Sequence, residues 1–373
     1  MSEGIGARVL RKEDKRFITG KGKYTDDVRN ENQCYAAFVR SPHAHAKVNG
    51  INKSAAEAMD GVEAVLDGHQ LTGDGIGNII CGWAVNSKDG SPMNMGAWSA
   101  LATNFVRYVG DAVAVVIADT PANARTAAEA VEVDYEVLPA ITTVEKALAD
   151  GAPQIHPEAP GNLIYDWEIG EKEPTDAAIA GAAYVCEMDI TNNRVAPNPM
   201  EPRSAVATFD PSEDHYTLYT TSQNPHVARL VLSAFYQVAP EHKLRVIAPD
   251  VGGGFGAKIY IYPEEIVCLW ASMKTQRSVK WTADRTESFL TDAHGRDHVS
   301  KAKMGFDKNN RIVGFQVDTI ANLGAYMSLF SSSVPTYLYA TLLSGQYNIA
   351  NIHCNVRTAI RIHRSGVRID SAH

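Results

Sequence analysis

Four glycines fall within five residues, from Gly252 to Gly256, in the stretch APDVGGGFGAK at 248–258. Glycine accepts backbone angles that other residues resist, and it lets the backbone approach another group closely. A predicted strand at 243–249 precedes this glycine loop, and a predicted helix at 263–274 follows it. The pattern therefore indicates a backbone segment in close contact with a bound group or with a tightly packed neighbour.

The residues of the loop leave three interpretations open. Gly252, Gly254 and Ala257 satisfy the G-x-G-x-x-A dinucleotide fingerprint. Against that reading, Asp250 would repel a phosphate, and Phe255 is bulky where a phosphate should pass. The Walker pattern of nucleotide triphosphate sites is absent. Tight helix–strand packing, a nicotinamide dinucleotide site on a doubly wound parallel sheet, and a site for another cofactor all remain possible at this point.

Composition excludes several classes of protein. The chain has 373 residues, 45% of them hydrophobic, and a formal net charge of −8, as expected for a globular protein without a nucleic-acid partner. We expect no membrane span and no secretory signal, because no apolar run is long enough. The cysteines are far apart in the sequence and form no C-x-x-C motif; they are Cys34, Cys81, Cys186, Cys268 and Cys354. This spacing predicts reduced thiols in a cytoplasmic protein rather than an iron–sulfur or zinc site.

The first half of the chain is predicted to be a mixed domain. Its strands are predicted at 34–41, 106–118 and 131–138. A short helix at 54–61 is expected to begin with Ser54 as its cap, and a second helix should begin after Thr120. The proline-rich segment 139–165 is interpreted as a linker to a second domain.

The second half is predicted to continue the mixed pattern. Strands are expected at 203–209 and 215–222, and a hairpin is expected from 298–306 and 311–320. A helix is predicted at 225–236, with one apolar face that consists of Val227, Leu230, Val231 and Ala234.

Two polar segments are candidate functional sites. Gln223 lies between a predicted strand and a predicted helix, where its amide could donate to an oxo group, cap the helix or hydrogen-bond a loop. The segment 279–298 is polar, and on its own we interpret it as a surface cluster of ion pairs that contains Arg285, Asp292, His294, Arg296 and Asp297.

Together, three motifs resemble the molybdenum hydroxylase family. They are Asn-Pro-Met-Glu-Pro-Arg at 198–203, Gln-Asn-Pro-His at 223–226 and Gly-Gly-Gly-Phe-Gly at 252–256. The likeness is closest to the large, molybdenum-binding subunit of aerobic carbon monoxide dehydrogenases. The segments 20–28, 38–46 and 109–120 are similar to the α/β-hammerhead domain of that family. The resemblance implies an α+β fold, with an N-terminal α/β-hammerhead domain followed by the first part of a molybdopterin-binding domain.

The resemblance also implies the site. The loop would approach molybdenum held by a molybdopterin cytosine dinucleotide, without metal ligands from protein side chains. A backbone N–H of Phe255 or Gly256 would donate to an oxo ligand, and Gln223 would hydrogen-bond an oxo ligand as the catalytic residue of this chain. The cofactor-binding residues implied in this way are Gln223, Gly253, Gly254, Phe255, Gly256 and Ala257.

The activity implied by the resemblance is oxidative hydroxylation of a small substrate, with water as the oxygen source. Electrons would leave through iron–sulfur clusters on a small partner subunit and FAD on a medium partner subunit, in a dimer of heterotrimers. The purine-oxidising branch carries a glutamate where this chain has Ile259. That difference favours carbon monoxide, an aldehyde or an N-heterocycle over a purine.

The predicted domain boundaries follow from the same likeness. They are an N-terminal extension at 1–19, the hammerhead domain at 20–140, a linker at 141–165, the first half of the molybdopterin-binding domain at 166–357 and an atypical tail at 358–373. The tail is arginine-rich and is expected to reflect a frameshift or truncation. The glutamate that acts as base in the family would then be absent and the chain alone inactive. The alternative is a non-catalytic remnant or binding subunit that keeps the fold without the metal.

Overall fold

The structure is a computed structural model that describes residues 4–361. Most of the predicted tail, residues 362–373, lies outside the described residues, while Thr358 and Ala359 belong to a strand. Among the described residues, no helix is both long enough and apolar enough to cross a membrane.

Fifteen strands are described. They are β1 Cys34–Arg40, β2 Ala46–Asn52, β3 Val62–Asp67, β4 Phe105–Val106, β5 Ala112–Ala118, β6 Glu132–Val137, β7 Leu163–Gly170, β8 Tyr184–Asn192, β9 Ser204–Asp210, β10 His215–Thr220, β11 Leu244–Ile247, β12 Val279–Thr282, β13 His298–Phe306, β14 Ile312–Asn322 and β15 Ile352–Ala359.

Nine α-helices connect these strands in the described part of the chain. They are α1 Asp14–Ile18, α2 Ser54–Glu57, α3 Gly68–Gly73, α4 Pro121–Glu129, α5 Val144–Ala147, α6 Lys172–Ala180, α7 Pro225–Ala234, α8 Pro263–Thr275 and α9 Arg285–Thr291. Helix α4 begins as predicted, because the Thr120 side chain accepts a hydrogen bond from the Asn123 N–H.

The strands form three sheets. The largest has the order β11-β10-β9-β12-β1-β5-β3, the second has β7-β15-β14-β13-β8, and the third has β4-β2-β6. The largest sheet joins the two halves of the chain, because Cys34 of β1 pairs in parallel with Val279 of β12. Most of its neighbouring strands are antiparallel, as in the pairs β1–β5 and β9–β10. It is therefore not the doubly wound parallel sheet that a nicotinamide dinucleotide site would need.

Helix α8 lies at the centre of the main core. Cys268, Leu269 and Trp270 are fully buried in it, and the helix packs against β9 and β12. Helix α7 covers the same core with a different face from the one predicted. Leu230 is 47% exposed, whereas Val231 and its neighbours Ala228 and Leu232 are buried. The sequence contains two overlapping sets of apolar residues at helical spacing, and the set with Ala228, Val231 and Leu232 is the one buried against the sheet.

Two other predicted elements differ from the structure. The predicted strand 106–118 is interrupted by a turn, so it forms the separate strands β4 and β5. Ser54 is the first residue of α2 rather than its cap, and this helix already ends at Glu57. The proline-rich segment 139–165 contains α5 and packs into a second core through Ile141, Val144 and Ile155.

Candidate functional site

The glycine loop connects β11 to α8 through irregular backbone. Gly253 has φ 97°, Phe255 has φ 51° and Gly256 has φ 89°, so three residues of the loop are left-handed. A bulky residue such as phenylalanine rarely adopts this conformation, and such strain is common at functional sites. The helix begins only at Pro263, so its N-terminus does not follow the glycines directly as the dinucleotide fingerprint requires.

Two of the glycines leave room for side chains of the protein itself. A Cβ atom on Gly252 would lie 2.5 Å from Cβ of Glu201, and one on Gly254 would lie 2.3 Å from Oε1 of Gln223. Both distances are shorter than any real contact of this kind. Part of the close approach predicted from the sequence is therefore made by Glu201 and Gln223.

Gln223 is held against the loop by three hydrogen bonds. Its backbone N–H donates to the carbonyl oxygen of Lys258 at 2.8 Å. Its side-chain Oε1 accepts from the N–H of Gly256 at 3.1 Å and from the N–H of Lys258 at 3.2 Å. Because both loop groups are donors, the oxygen of the amide must face the loop and the NH₂ group must face away from it. Gln223 is exposed, so this NH₂ group can donate to a ligand.

The structure brings the predicted site residues into one place but gives them different surroundings. Phe255 is 69% exposed, and its N–H donates no hydrogen bond to a described residue. The Gly256 N–H, the other predicted donor, is already used by Gln223. Gly254 is buried against Gln223. Ala257 is buried, and its carbonyl oxygen accepts from the Tyr262 hydroxyl at 2.5 Å. Among the predicted site residues, Nε2 of Gln223 and the N–H groups of Gly253, Gly254 and Phe255 therefore donate to no described residue.

An ion pair that the sequence did not indicate lies beneath the loop. The Lys258 ammonium donates to the backbone oxygen of Glu201 at 2.9 Å and to its Oε2 at 3.0 Å. The same Oε2 accepts from the N–H of Gly252 at 2.7 Å. Burial lowers the pKa of Lys258, and the Glu201 carboxylate opposes that shift. A lysine inside a glycine loop usually suggests an exposed or phosphate-binding group, so only its folded environment reveals this role.

The start of the loop is tied to the N-terminal segment. The Asp250 carboxylate accepts from the guanidinium of Arg16 and from the N–H of Lys23 at 2.7 Å. Arg16 holds the pKa of Asp250 below its usual range. The charge that argued against a phosphate next to the glycines is therefore neutralised within the protein.

A buried ionic network supports the elements around the site. The Arg203 guanidinium donates to Oε2 of Glu264 at 2.7 Å and to Oδ1 of Asp292 at 2.6 Å. Oε1 of Glu264 accepts from Arg40 at 2.7 Å. Burial would raise the pKa of Glu264, but Arg203 and Arg40 more than compensate and lower it to about 2. These contacts join β1, the first turn of α8 and the end of α9.

The polar segment 279–298 is not the surface cluster that its sequence suggests. Asp292 and His294 are buried, and Asp292 pairs with Arg203 instead of a neighbour in its own segment. Arg285 donates to Oδ1 of Asn198 and to the carbonyl oxygen of Met200 at 3.1 Å. The error arises because the partners are distant in sequence. Arg285 and Asp292 thus bind the Asn-Pro-Met-Glu-Pro-Arg stretch at 198–203.

Models of two protein families match the chain. The model described as "Molybdopterin cofactor-binding domain" matches residues 155–365, which is more than half of the chain. The model described as "Aldehyde oxidase and xanthine dehydrogenase, a/b hammerhead domain" matches residues 19–139. The chain belongs to the molybdenum hydroxylase family. The resemblance seen in the motifs is thereby confirmed, as is the α+β fold with a hammerhead domain before a molybdopterin-binding domain.

Individual relatives support the same assignment. The chain is 36% identical to the carbon monoxide dehydrogenase large chain of Hydrogenophaga pseudoflava, over 95% of this chain and 44% of that relative. It is 30% identical to the nicotinate dehydrogenase large molybdopterin subunit of Eubacterium barkeri, over 95% of this chain and 78% of that relative. Quinoline 2-oxidoreductase from Pseudomonas putida 86 superposes with a TM-score of 0.89 at 30% identity, over 100% of this chain and 46% of that chain.

The chain thus spans about 44% of the length of the first carbon monoxide dehydrogenase relative. The donor set of the loop fits the molybdenum cofactor. Nε2 of Gln223 and the N–H of the exposed Phe255 donate to no described residue, so both are available to a ligand that carries oxygen acceptors. Among residues 4–361, no group of three His, Cys, Asp or Glu side chains could hold a metal ion.

Proposed function

We propose that this chain forms all or part of the large subunit of a molybdenum-dependent oxidoreductase that hydroxylates a small substrate with oxygen from water. One observation carries the proposal. Oε1 of Gln223 is held by the N–H groups of Gly256 and Lys258, so the amide NH₂ group is directed outward beside the exposed Phe255. The relatives named above, which are dehydrogenases and an oxidoreductase, support the reaction class.

In this proposal the protein holds and orients the cofactor through neutral donors. Nε2 of Gln223 and the N–H of Phe255 donate to oxygen ligands of the metal, and Gln223 is the catalytic residue of this chain. The backbone of Gly253, Gly254, Gly256 and Ala257 gives the loop its close approach. When bound, the cofactor, which we propose to be a molybdopterin cytosine dinucleotide, supplies the two-electron oxidation.

The substrate is proposed from the residue that follows the loop lysine. Ile259 is partly buried and has an aliphatic side chain, so it cannot donate to or accept from a purine. Carbon monoxide, an aldehyde or an N-heterocycle fits such a site better. The chain is similar both to relatives named for carbon monoxide, nicotine and nicotinate and to relatives named for xanthine, so the preference rests on Ile259.

The remaining parts of the proposed enzyme come from outside the described residues. We propose a small partner subunit with iron–sulfur clusters and a medium partner subunit with FAD, assembled as a dimer of heterotrimers in the cytoplasm. The glutamate that acts as base would also lie outside the described part of the chain. Gln223 then contributes orientation rather than proton transfer, because an amide does not ionise in this pH range.

Elemental and nucleotide analysis of the protein purified from its own host tests the proposal. We expect molybdenum, and CMP released by acid hydrolysis, each at about one per chain, together with substrate-dependent reduction of a dye by the assembled enzyme. A purified protein that is folded but contains neither molybdenum nor CMP would instead support the alternative of a non-catalytic subunit that keeps the fold.

A further inference from the structure

Lys258 is the one residue of the loop that contacts both Glu201 and Gln223. Its side chain is only 1% exposed, and its ammonium donates twice to Glu201. Its backbone N–H donates to Oε1 of Gln223, and its backbone oxygen accepts from the Gln223 N–H at 2.8 Å. A displacement of the Lys258 backbone would therefore break two of the three hydrogen bonds that orient Gln223.

Glu201 completes this arrangement from the other side. Its Oε2 accepts from the N–H of Gly252 at 2.7 Å and from the Lys258 ammonium at 3.0 Å. The carboxylate thus ties together the first glycine of the loop and the lysine at its end. Its side chain is 12% exposed, so without the lysine it would be a largely buried charge that keeps only the hydrogen bond from the Gly252 N–H, which is an unfavourable state.

We propose that Lys258 is a positioning residue: its buried ammonium, bound to Glu201, fixes the glycine loop so that the amide of Gln223 presents its NH₂ group to the cofactor. The reason for orienting Gln223 in this way, which is to bind the cofactor, rests on the proposed function. The loop geometry itself can be measured in the protein without reference to any activity.

Lys258→Met is the informative variant, because methionine keeps most of the length and apolar stem of lysine but loses the charge. Lys280→Met is a matched control. Lys280 is 3% exposed, and its ammonium donates to the backbone oxygen of Asp26 and contacts Oδ1 of the same residue at 2.9 Å. Both lysines therefore bind the carboxylate and the backbone oxygen of a single acidic residue. Lys280 also donates to the carbonyl oxygen of Val28 at 3.4 Å, and only Lys258 contacts the loop.

Hydrogen–deuterium exchange of the full chain, followed by peptide mass spectrometry, is the measurement. We expect Lys258→Met to accelerate exchange about tenfold or more in peptides that contain residues 252–258 and residue 223, since charge-assisted hydrogen bonds are lost there. Exchange in the hairpin of β13 and β14 should not change. Lys280→Met should leave the loop peptides unchanged.

Loop exchange that stays at the wild-type rate in Lys258→Met, or that rises equally in Lys280→Met, would overturn the positioning role. If Lys258→Met does not fold, Glu201→Gln replaces it and should give the same acceleration in the loop peptides, while unchanged exchange there would overturn the role. Molybdenum analysis of the wild-type protein separates the two proposals. A protein that never contains molybdenum contradicts the proposed function, whereas the exchange result tests how firmly the N–H groups of Gly256 and Lys258 are held against Gln223.

Discussion

The N–H of Gly256 lies 3.1 Å from Oε1 of Gln223, although 33 residues separate the two in sequence. The Gly256 N–H is one of the two backbone donors from which the family resemblance implied a hydrogen bond to an oxo ligand, and this contact already uses it. The contact also determines which end of the Gln223 amide faces outward. The side-chain NH₂ group of Gln223 and the N–H of Phe255 are among the donors left for a ligand.

Gln223→Glu replaces the side-chain NH₂ group with an oxygen atom and so tests whether that group donates to a ligand. A carboxylate can still accept from Gly256 and Lys258, so we expect thermal unfolding close to that of the wild type. It cannot donate, and it places a negative charge beside the oxygen ligands. Molybdenum per chain should fall to roughly a tenth or less. Wild-type molybdenum content in this variant would show that the NH₂ group has no role.

Gly254→Ala should destabilise the protein, because the new Cβ would lie 2.3 Å from Oε1 of Gln223. Because the side chain of the exposed Gln223 can move aside, we expect a cost of about 1 kcal/mol in the free energy of unfolding, the low end for overpacking. Gly50→Ala is the control, since no atom lies within 4 Å of a Cβ at that position. Denaturant titration of both variants should show a difference, and equal stabilities would indicate that the loop is not packed against Gln223.

Glu264→Gln should cost about 3–5 kcal/mol in the free energy of unfolding, because Arg203 and Arg40 would lose a shared buried partner. Glu136→Gln is the control. Glu136 is exposed and lies 4.0 Å from Lys47, so its substitution should change the free energy of unfolding by less than about 0.5 kcal/mol.

The pH dependence of the same contact has a defined sign. The folded pKa of Glu264 is lowered from 4.5 to about 2 by its two arginines. The stabilisation is therefore complete above about pH 4.5 and is lost as the pH falls towards 2. The difference in unfolding free energy between wild type and Glu264→Gln should shrink over that range. A difference that is constant from pH 6 to pH 3 would contradict the network.

Asp111 should give the opposite slope. Burial raises the pKa of this carboxyl from 3.8 to about 7, and the hydrogen bonds from Arg107 and Tyr326 offset only part of that shift. The folded protein then retains a proton that the unfolded chain has released, so stability falls as the pH rises from about 4 to 7.

Asp111→Asn removes this titration and keeps an oxygen that can accept from both partners. Its stability relative to wild type should therefore increase by about 2–3 kcal/mol between pH 5 and pH 8. Urea titrations at the two pH values measure the change. A relative stability that stays the same at both pH values would mean that Asp111 titrates normally in the folded protein.

Local signals and family motifs predicted much of this molecule. Thr120 marked the start of α4, and the motifs around Gln223 and Gly256 identified two segments that do meet. Contacts between distant residues could not be predicted in this way. Lys258 and Glu201 are 57 residues apart, and Arg203 and Glu264 are 61 apart. Charged side chains are usually exposed, so the sequence did not indicate that these four residues form pairs in the protein interior.

Helix α7 shows a second limit. Its sequence contains apolar residues on more than one side, so periodicity alone did not decide between a face centred on Leu230 and one that contains Leu232. The sheet beneath the helix makes that choice. In the same way, the prolines of 139–165 indicated irregular backbone but not that Ile155 would be buried in a core.

Anomalous diffraction at the molybdenum absorption edge, from crystals of the protein purified from its own host, would locate the metal relative to the glycine loop. We expect one peak per chain in front of the glycine loop. The oxygen ligands of that metal should lie about 3 Å from Nε2 of Gln223 and from the N–H of Phe255. A molybdenum peak at any other place, or well-diffracting crystals with no peak, would contradict the assignment of this loop as the cofactor site.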